Sequence, residues 1–354
     1  QRSFVVEVMG RHCGYLALMA AIAGGCDYVL IPENPPADGW EDKMCAELKR
    51  GRDAGRRESI VLVAEGAQDR SGNPISAEYV RSTLEEKLHE DARVTILGHV
   101  QRGGSPSAYD RWMATLVGHA AVAEVLRADR EPQMVGVRAN RVHTEPLMDA
   151  VAATRNVATL IKEGRYDEAM AARGRSFVQM SKAFRQLSEA RPDAHASAQR
   201  RRIGVLHCGG LAPGMNAAAK SVVRLGVDHG HEMLGIHGGF PGLIAGDVRP
   251  LGWGDVEGWA AYGGASLGTR RTIPKEEDLY ALARSIETHQ IDALVIIGGF
   301  QAYRALSLIH TERKRYPAVD IPIVVLPCSI DNNLPGLQMA VGADTALNVA
   351  VQSV

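Results

Sequence analysis

Several things are scarce in this chain of 354 residues, and each scarcity removes a class of protein. Aromatic residues make up only 5% of it, whereas glycine is abundant at 37 residues. Few aromatics and many glycines suit an α/β protein with tight strand-to-helix turns. The five cysteines (Cys13, Cys26, Cys45, Cys208 and Cys328) have no paired spacing and form no CxxC. They read as neither a zinc site nor a disulfide framework and fit a reducing cytoplasm. Neither sign of charge dominates, with 40 Lys+Arg against 41 Asp+Glu, which argues against a general nucleic-acid binder. No apolar run reaches membrane-spanning length. The opening "QRSFVVEVMG" is not a signal peptide, because its apolar run is short and Glu7 interrupts it. An initiator Met is missing too, and a strand-like run opens the chain, so a fragment is expected. The GxxxxGK[ST] phosphate loop does not occur.

What is present is a repeating alternation. A chain of this length holds about two domains. In residues 1–160, strands are expected at 3–8, 27–32, 59–64 and 93–97, and helices at 12–25, 78–90 and 110–128. Strands alternating with helices imply a parallel-rich sheet flanked by helices. Residues 161–202 break the pattern: "GRYDEAMAARGRSFVQMSKAFRQLSE" reads as exposed helix and "ARPDAHASAQRRR" as a linker. Residues 203–354 restart it. "RIGVLHCGG" (202–210), "MLGIHGGFPGL" (233–243) and "IDALVIIGGF" (291–300) read as strands ending in Gly-Gly, and 212–230 reads as a helix. Loops of this kind gather at the carboxyl edge of a parallel sheet, where open α/β proteins bind ligands.

Three strand ends in the first segment carry matching polar groups. In "LGHVQRGGSPSAYDR" (97–111), His99 and Arg102 precede bare glycine amides, a set able to hold a sugar phosphate. Taken alone, they serve equally as a core histidine and an arginine paired with Asp110. Gly10 in "EVMGRHCG" (7–14) can bring its backbone to a ligand, and Met9 beside it serves equally as core filler. Glu65, at the end of "IVLVAE", can accept sugar hydroxyls or act as a cap. In the second segment "GGLAPGMNAA" (209–218) is a candidate phosphate loop at a helix N-terminus. "GGASLGTRR" (263–271) adds Arg270 and Arg271. Asp331 in "CSIDNN" is either a general base or an Asx turn.

Together these stretches, with "VVEVMGRHCGYLAL" (5–18) and "PCSIDNNLPG" (327–336), resemble ATP-dependent 6-phosphofructokinase. The resemblance implies phosphofructokinase-like, Rossmann-like α/β lobes. It implies transfer of the ATP γ-phosphoryl group to the 1-hydroxyl of fructose 6-phosphate, with Mg²⁺ accompanying ATP, in an oligomer (a tetramer in the family) in the cytoplasm, with no nucleic-acid or membrane partner. The order of the motifs resembles the tandem, duplicated form. Residues 1–160 match the back of an N-terminal module, 161–202 its connector, and 203–354 the front of a C-terminal module. Met9, Gly10, Arg11, Glu65, His99 and Arg102 match positions that bind fructose 6-phosphate. Arg2 and Arg93 match arginines reaching that phosphate from a neighbouring subunit or half. Asp331 matches the catalytic base, and Arg271 the arginine that stabilises the transferring group. Gly210, Phe240, Arg271, Gly298 and Gly299 match a nucleotide site in altered form. Its Asp is replaced by Leu211, and its metal-holding "DGS" by Phe300-Gln301-Ala302. Lys220 and Arg224 match bacterial effector positions and serve equally as helix-surface charge. A non-catalytic regulatory sugar-phosphate or nucleotide module and a pyrophosphate-dependent relative remain as alternatives.

Overall fold

The computed structural model describes residues 2–127, 131–138, 141–189 and 200–354. Most of the expected linker, residues 190–199, lies outside these. The chain divides into two compact units, 1–191 and 192–354.

Unit 1 alternates strand and helix from its start: β1 (Arg2–Val8), α1 (Tyr15–Gly24), β2 (Tyr28–Leu30), α2 (Trp40–Asp53), β3 (Glu58–Ala64), α3 (Ala77–Leu88) and β4 (Asp91–Ile96). After these come α4 (Ala108–Val125), an antiparallel hairpin of β5 (Gln133–Arg138) and β6 (Arg141–Pro146), and α5 (Leu147–Lys162), α6 (Tyr166–Ala172) and α7 (Arg175–Ser188). The first four strands form one parallel sheet in the order β2-β3-β1-β4. Side chains alternate across a strand, so each face of the sheet has its own core. On one face Val5, Val61 and Val63 meet Met44, Leu48, Val80 and Leu84 of α2 and α3. On the other, Val8, Leu62 and Ala64 meet Leu18 and Ala21 of α1.

Helices α6 and α7 join that second core through Met170, Phe177 and Phe184. The expectation of exposed helix over this stretch is therefore corrected. Phe177 and Phe184 stand seven residues apart, on one helical face, and that face is buried.

Unit 2 contains β7 (Arg202–Cys208), α8 (Met215–Asp228), β8 (Glu232–Ile236), α9 (Gly239–Ala245), β9 (Val248–Pro250), α10 (Leu279–Thr288), β10 (Ala293–Gly298), α11 (Phe300–Glu312), β11 (Ile323–Pro327) and α12 (Ala343–Ser353). Its sheet runs β11-β10-β7-β8-β9, parallel except for β9. Helices α9, α10 and α11 cover one face around Phe240, Leu282 and Ile309, and α8 covers the other with Met215, Ala219 and Val223. No helix among the described residues is long and apolar enough to cross a membrane.

Candidate functional site

In unit 1 the adjacent strands β3, β1 and β4 end side by side: Val8 pairs with Ala64 and Glu7 with Ile96. Pairing runs one step further, with the Glu65 N–H donating to Val8 O at 2.8 Å and the Leu97 N–H to Glu7 O at 3.1 Å. This places Met9-Gly10-Arg11, Glu65 and the 3-10 turn Gly98–Arg102 at one sheet edge. Gly10 has φ +133°, and a Cβ there would lie 2.3 Å from Cys13 O, so only glycine fits this turn. The next approach is closer still. A Cβ on Gly66 would lie 1.6 Å from the Arg11 carbonyl oxygen, so the turns after β1 and β3 are in backbone contact. Arg11 Nε lies 3.9 Å from Glu65 Oε1. Met9 N–H donates to Gln101 Oε1 at 3.3 Å, while Gln101 Nε2 donates to Gly98 O at 3.1 Å. Gln101 thus ties the turn bearing His99 and Arg102 to the end of β1.

His99 and Arg102 are both exposed, and among the described residues neither forms an ion pair. Asp110 is engaged elsewhere: it accepts from Ser107 Oγ at 3.1 Å at the start of α4. The alternative of a core histidine beside an Arg102–Asp110 pair is therefore not realised. Arg2 and Arg93 are not brought to this edge. Arg2 opens β1, roughly 20 Å from its far end at about 3.3 Å per residue, and Arg93, the register partner of Phe4, lies 3.8 Å from Asp91.

In unit 2 the ends of β7, β10 and β11 are likewise adjacent. A Cβ on Gly298 would lie 2.0 Å from Cys208 O, and one on Gly299 would lie 3.0 Å from the Ser329 Cβ. Arg271 packs its guanidinium against Gly210, and Thr269 Oγ1 donates to Gly209 O at 2.9 Å. Asn216, almost fully buried, accepts from Ser266 N–H at 2.7 Å and donates to the Gly263 carbonyl at 3.1 Å, fastening the glycine-rich 263–268 loop to α8. The Gln301 side chain reaches back over this edge, its Oε1 lying 3.2 Å from where a Gly209 Cβ would be. Asp331 is exposed, and its N–H donates to Ser329 Oγ at 3.2 Å. Its neighbour Asn332, at φ +47°, closes the loop by accepting from Ala340 N–H at 2.8 Å.

The sequence carries the signature of a known family. Residues 1–125 and 202–354 match the model described as Phosphofructokinase. The chain belongs to the phosphofructokinase family. It is 45% identical over 355 residues to the liver-type ATP-dependent 6-phosphofructokinase of Rattus norvegicus, covering 100% of this chain and 45% of that protein. It is 44% identical to the ATP-dependent 6-phosphofructokinase of Aspergillus fumigatus, covering 99% of this chain and 45% of the relative. A crystal structure of Pichia pastoris phosphofructokinase in the T-state superposes with a TM-score of 0.94 at 39% identity, covering 99% of this chain and 40% of that one. The chain thus spans about half the length of the curated relatives it matches.

Within this phosphofructokinase chain, two expectations meet a structural correction. Phe240 is fully buried, packed with Leu206, Leu234 and Leu243, so its ring is core and meets no nucleotide. Arg224 is 2% exposed, ion-paired with Glu257, its guanidinium 4.8 Å from the centre of the Trp253 ring. It is therefore not surface charge, and its cationic head is already engaged. Lys220, on the same helix, is half-buried.

The position directly after Gly298-Gly299 offers a divalent cation no carboxylate. Among the described residues no group of three His, Cys, Asp or Glu side chains is arranged to hold one. Phe300 stands half-exposed at the start of α11, immediately after Gly298-Gly299, and offers no oxygen. Sequence reading missed Gln101 and Gly66. The signal for both was present, an amide inside "GHVQRGG" and a glycine directly after Glu65.

Proposed function

We propose that this chain belongs to an ATP-dependent 6-phosphofructokinase of the tandem type. In this reading residues 1–160 form the sugar-phosphate side of an N-terminal module, 161–202 the connector, and 203–354 the nucleotide side of a degenerate C-terminal module. Three features support it: two family matches flanking an unmatched stretch, relatives about twice as long, and relatives named for ATP rather than pyrophosphate. The observation that carries the reading is the convergence of Arg11, Glu65, His99 and Arg102 on three adjacent strand ends with bare glycine amides between them.

The chemistry follows from the groups. Arg102 and Arg11 supply planar forks of N–H donors to phosphate oxygens. Glu65 accepts from sugar hydroxyls, His99 hydrogen-bonds a hydroxyl or phosphate oxygen, Met9 supplies an apolar wall, and the Gly10 backbone approaches the ligand closely. Arg2 and Arg93, on the far end of the sheet, serve the phosphate of a neighbouring subunit or half, which makes an oligomer part of the reading. Mg²⁺ accompanies ATP in the whole enzyme's reaction, and this reading assigns no residue of unit 2 to hold it. With Gln301 lying over Gly209 and Phe300 in place of an acid, no phosphoryl transfer is assigned to unit 2, although Asp331 stands at the base position and Arg271 at the transfer arginine. This favours a regulatory role for unit 2 as the second reading. A cytoplasmic location is part of the same proposal.

The test is calorimetric titration of fructose 6-phosphate into the 354-residue chain. Losing charge-assisted bonds of about 1.5–3 kcal/mol each, Arg102→Ala should weaken binding by about tenfold or more. An unchanged affinity refutes the assigned role.

A further inference from the structure

Glu33 is an anomaly of unit 1. Its carboxylate is completely buried, just after β2, in the loop beside α1. A buried carboxylate is costly unless it is paired and hydrogen-bonded, and Glu33 has two partners. Both its oxygens accept from the Gly14 N–H, at 3.1 and 2.9 Å. Oε1 also accepts from Arg173 Nε at 2.7 Å. A second guanidinium nitrogen of Arg173 donates to the carbonyl oxygen of His12. These bonds therefore end on the backbone of residues 12 and 14, the return limb of the turn that starts at Met9-Gly10-Arg11. The fit leaves no slack: a Cβ on Gly14 would lie 2.4 Å from Ile31 Cβ and 2.8 Å from Glu33 Oε2.

Arg173 does not come from the sheet. It follows α6, and Gly174, at φ +111°, turns the chain into α7. It also lies within 126–201, the stretch that the family model leaves unmatched. Met170, Phe177 and Phe184 anchor these helices to the core containing Val8 and Leu18, so Arg173 is delivered from a fixed support.

We infer that Arg173 is a positioning residue: through Glu33 it holds the Gly10–Gly14 turn in the shape that presents Met9, Gly10 and Arg11 to a phosphorylated sugar. The connector helices then help to build the ligand corner instead of merely joining two modules. This rests on the reading of that corner as a sugar-phosphate site, but the arrangement of the turn can be tested without a ligand. Removal of the guanidinium leaves a buried carboxylate with one backbone donor. Glu33 then swings toward water or admits it, and the Gly14 N–H and His12 carbonyl lose their fixed partners. Arg11 shifts with them, because its carbonyl packs against Gly66.

Two measurements on the full 354-residue chain decide it. The first is amide hydrogen exchange followed by mass spectrometry. In Arg173→Met, peptides covering residues 10–14 should exchange faster by about tenfold, the consequence of losing one charge-assisted bond and exposing another, while β3 keeps its protection. The second is calorimetry with fructose 6-phosphate, where the same variant should lose about tenfold in affinity. Arg173→Lys should recover part of both, since a lysine can still reach Glu33 as a point charge. The double variant Glu33→Gln/Arg173→Met should be no worse than Arg173→Met, because the two residues act as one unit. Leu48→Val, in α2, is the control for general loosening. It removes packing from the opposite face of the sheet, away from the support of Arg173, so it should lower the melting temperature and leave both the turn's exchange and the affinity unchanged. Unchanged exchange at residues 10–14 in Arg173→Met overturns the inference, as does an equal loss of affinity in Leu48→Val. Unchanged affinity in Arg102→Ala would instead refute the sugar-phosphate reading, with the exchange result still standing on its own.

Discussion

Gly66→Ala puts the smallest possible side chain where the structure leaves no room. The new Cβ would start 1.6 Å from the Arg11 carbonyl oxygen and 2.6 Å from its carbonyl carbon. Ordinary contact begins at about 3.5 Å, so the two turns must separate by nearly 2 Å. Both sides of the clash are backbone, and no side-chain rotation relieves it. Gly66 has no positive φ, so the cost is steric alone. Overpacking of this kind costs about 1–3 kcal/mol, equivalent to a fall of roughly 2–10 °C in melting temperature for a unit of this size. The larger effect falls on the site, because the displaced residue carries the Arg11 fork and faces Glu65. A shift of about 1 Å in a positioned group can cost on the order of a hundredfold in function, so the affinity for fructose 6-phosphate should drop at least as far as in Arg102→Ala. Differential scanning calorimetry and isothermal titration measure the two effects. Gly118→Ala, in α4, is the matched control: nothing lies within 4 Å of its added Cβ, and the helix should gain slightly. If Gly66→Ala melts with the parent protein and binds the sugar phosphate equally well, the turns after β1 and β3 are not in contact and the proposed corner does not exist.

Other perturbations address other parts of the chain. Burial pushes the His207 pKa from the ordinary 6.5 down to about 4. The unfolded chain takes up a proton as pH falls through 6.5, and the folded chain does so only near 4. Unit 2 should therefore be fully stable above 6.5 and lose about 1.4 kcal/mol per pH unit below it; His207→Leu should flatten that slope in urea titrations, and an unaltered slope would exclude His207 as its source. Burial likewise raises the Cys26 and Cys208 thiols to about 12 and Cys328 to about 11, with Cys45 also raised. An aromatic disulfide reagent at pH 8 should then label Cys13 first in the native chain, and fructose 6-phosphate should slow it. Rapid labelling of a second thiol contradicts this. Arg224→Met strips the Glu257 ion pair and the Trp253 contact and should destabilise unit 2 by about 2–4 kcal/mol in urea; a neutral result would mean that Arg224 is not locked.

The alternation of strand and helix was legible because each buried strand is a short apolar run closed by glycine. β1, β3, β7 and β10 all fall within a residue or two of where the pattern sets them. Helix α2 is harder to see, since its stripe of Trp40, Met44, Cys45 and Leu48 is diluted by Glu, Lys and Arg. The hairpin of β5 and β6 buries no residue fully and leaves almost no apolar alternation to read. The fate of α6 and α7 was misjudged because their charges conceal one apolar face. At the site, sequence supplies the residue types at each strand end, and sheet register brings those ends together. What it does not supply is partnership at a distance. Glu33 and Arg173 stand 140 residues apart, and no local pattern pairs them.

The central claim is that the sugar-phosphate side of unit 1 is intact while unit 2 lacks the means of phosphoryl transfer. The direct measurement is turnover of fructose 6-phosphate and Mg·ATP by this chain, in a coupled assay run beside calorimetric binding of the sugar phosphate. The expected result is saturable binding that Arg102→Ala weakens, with little turnover. Robust turnover abolished by Asp331→Asn, or no binding sensitive to Arg102, would contradict it.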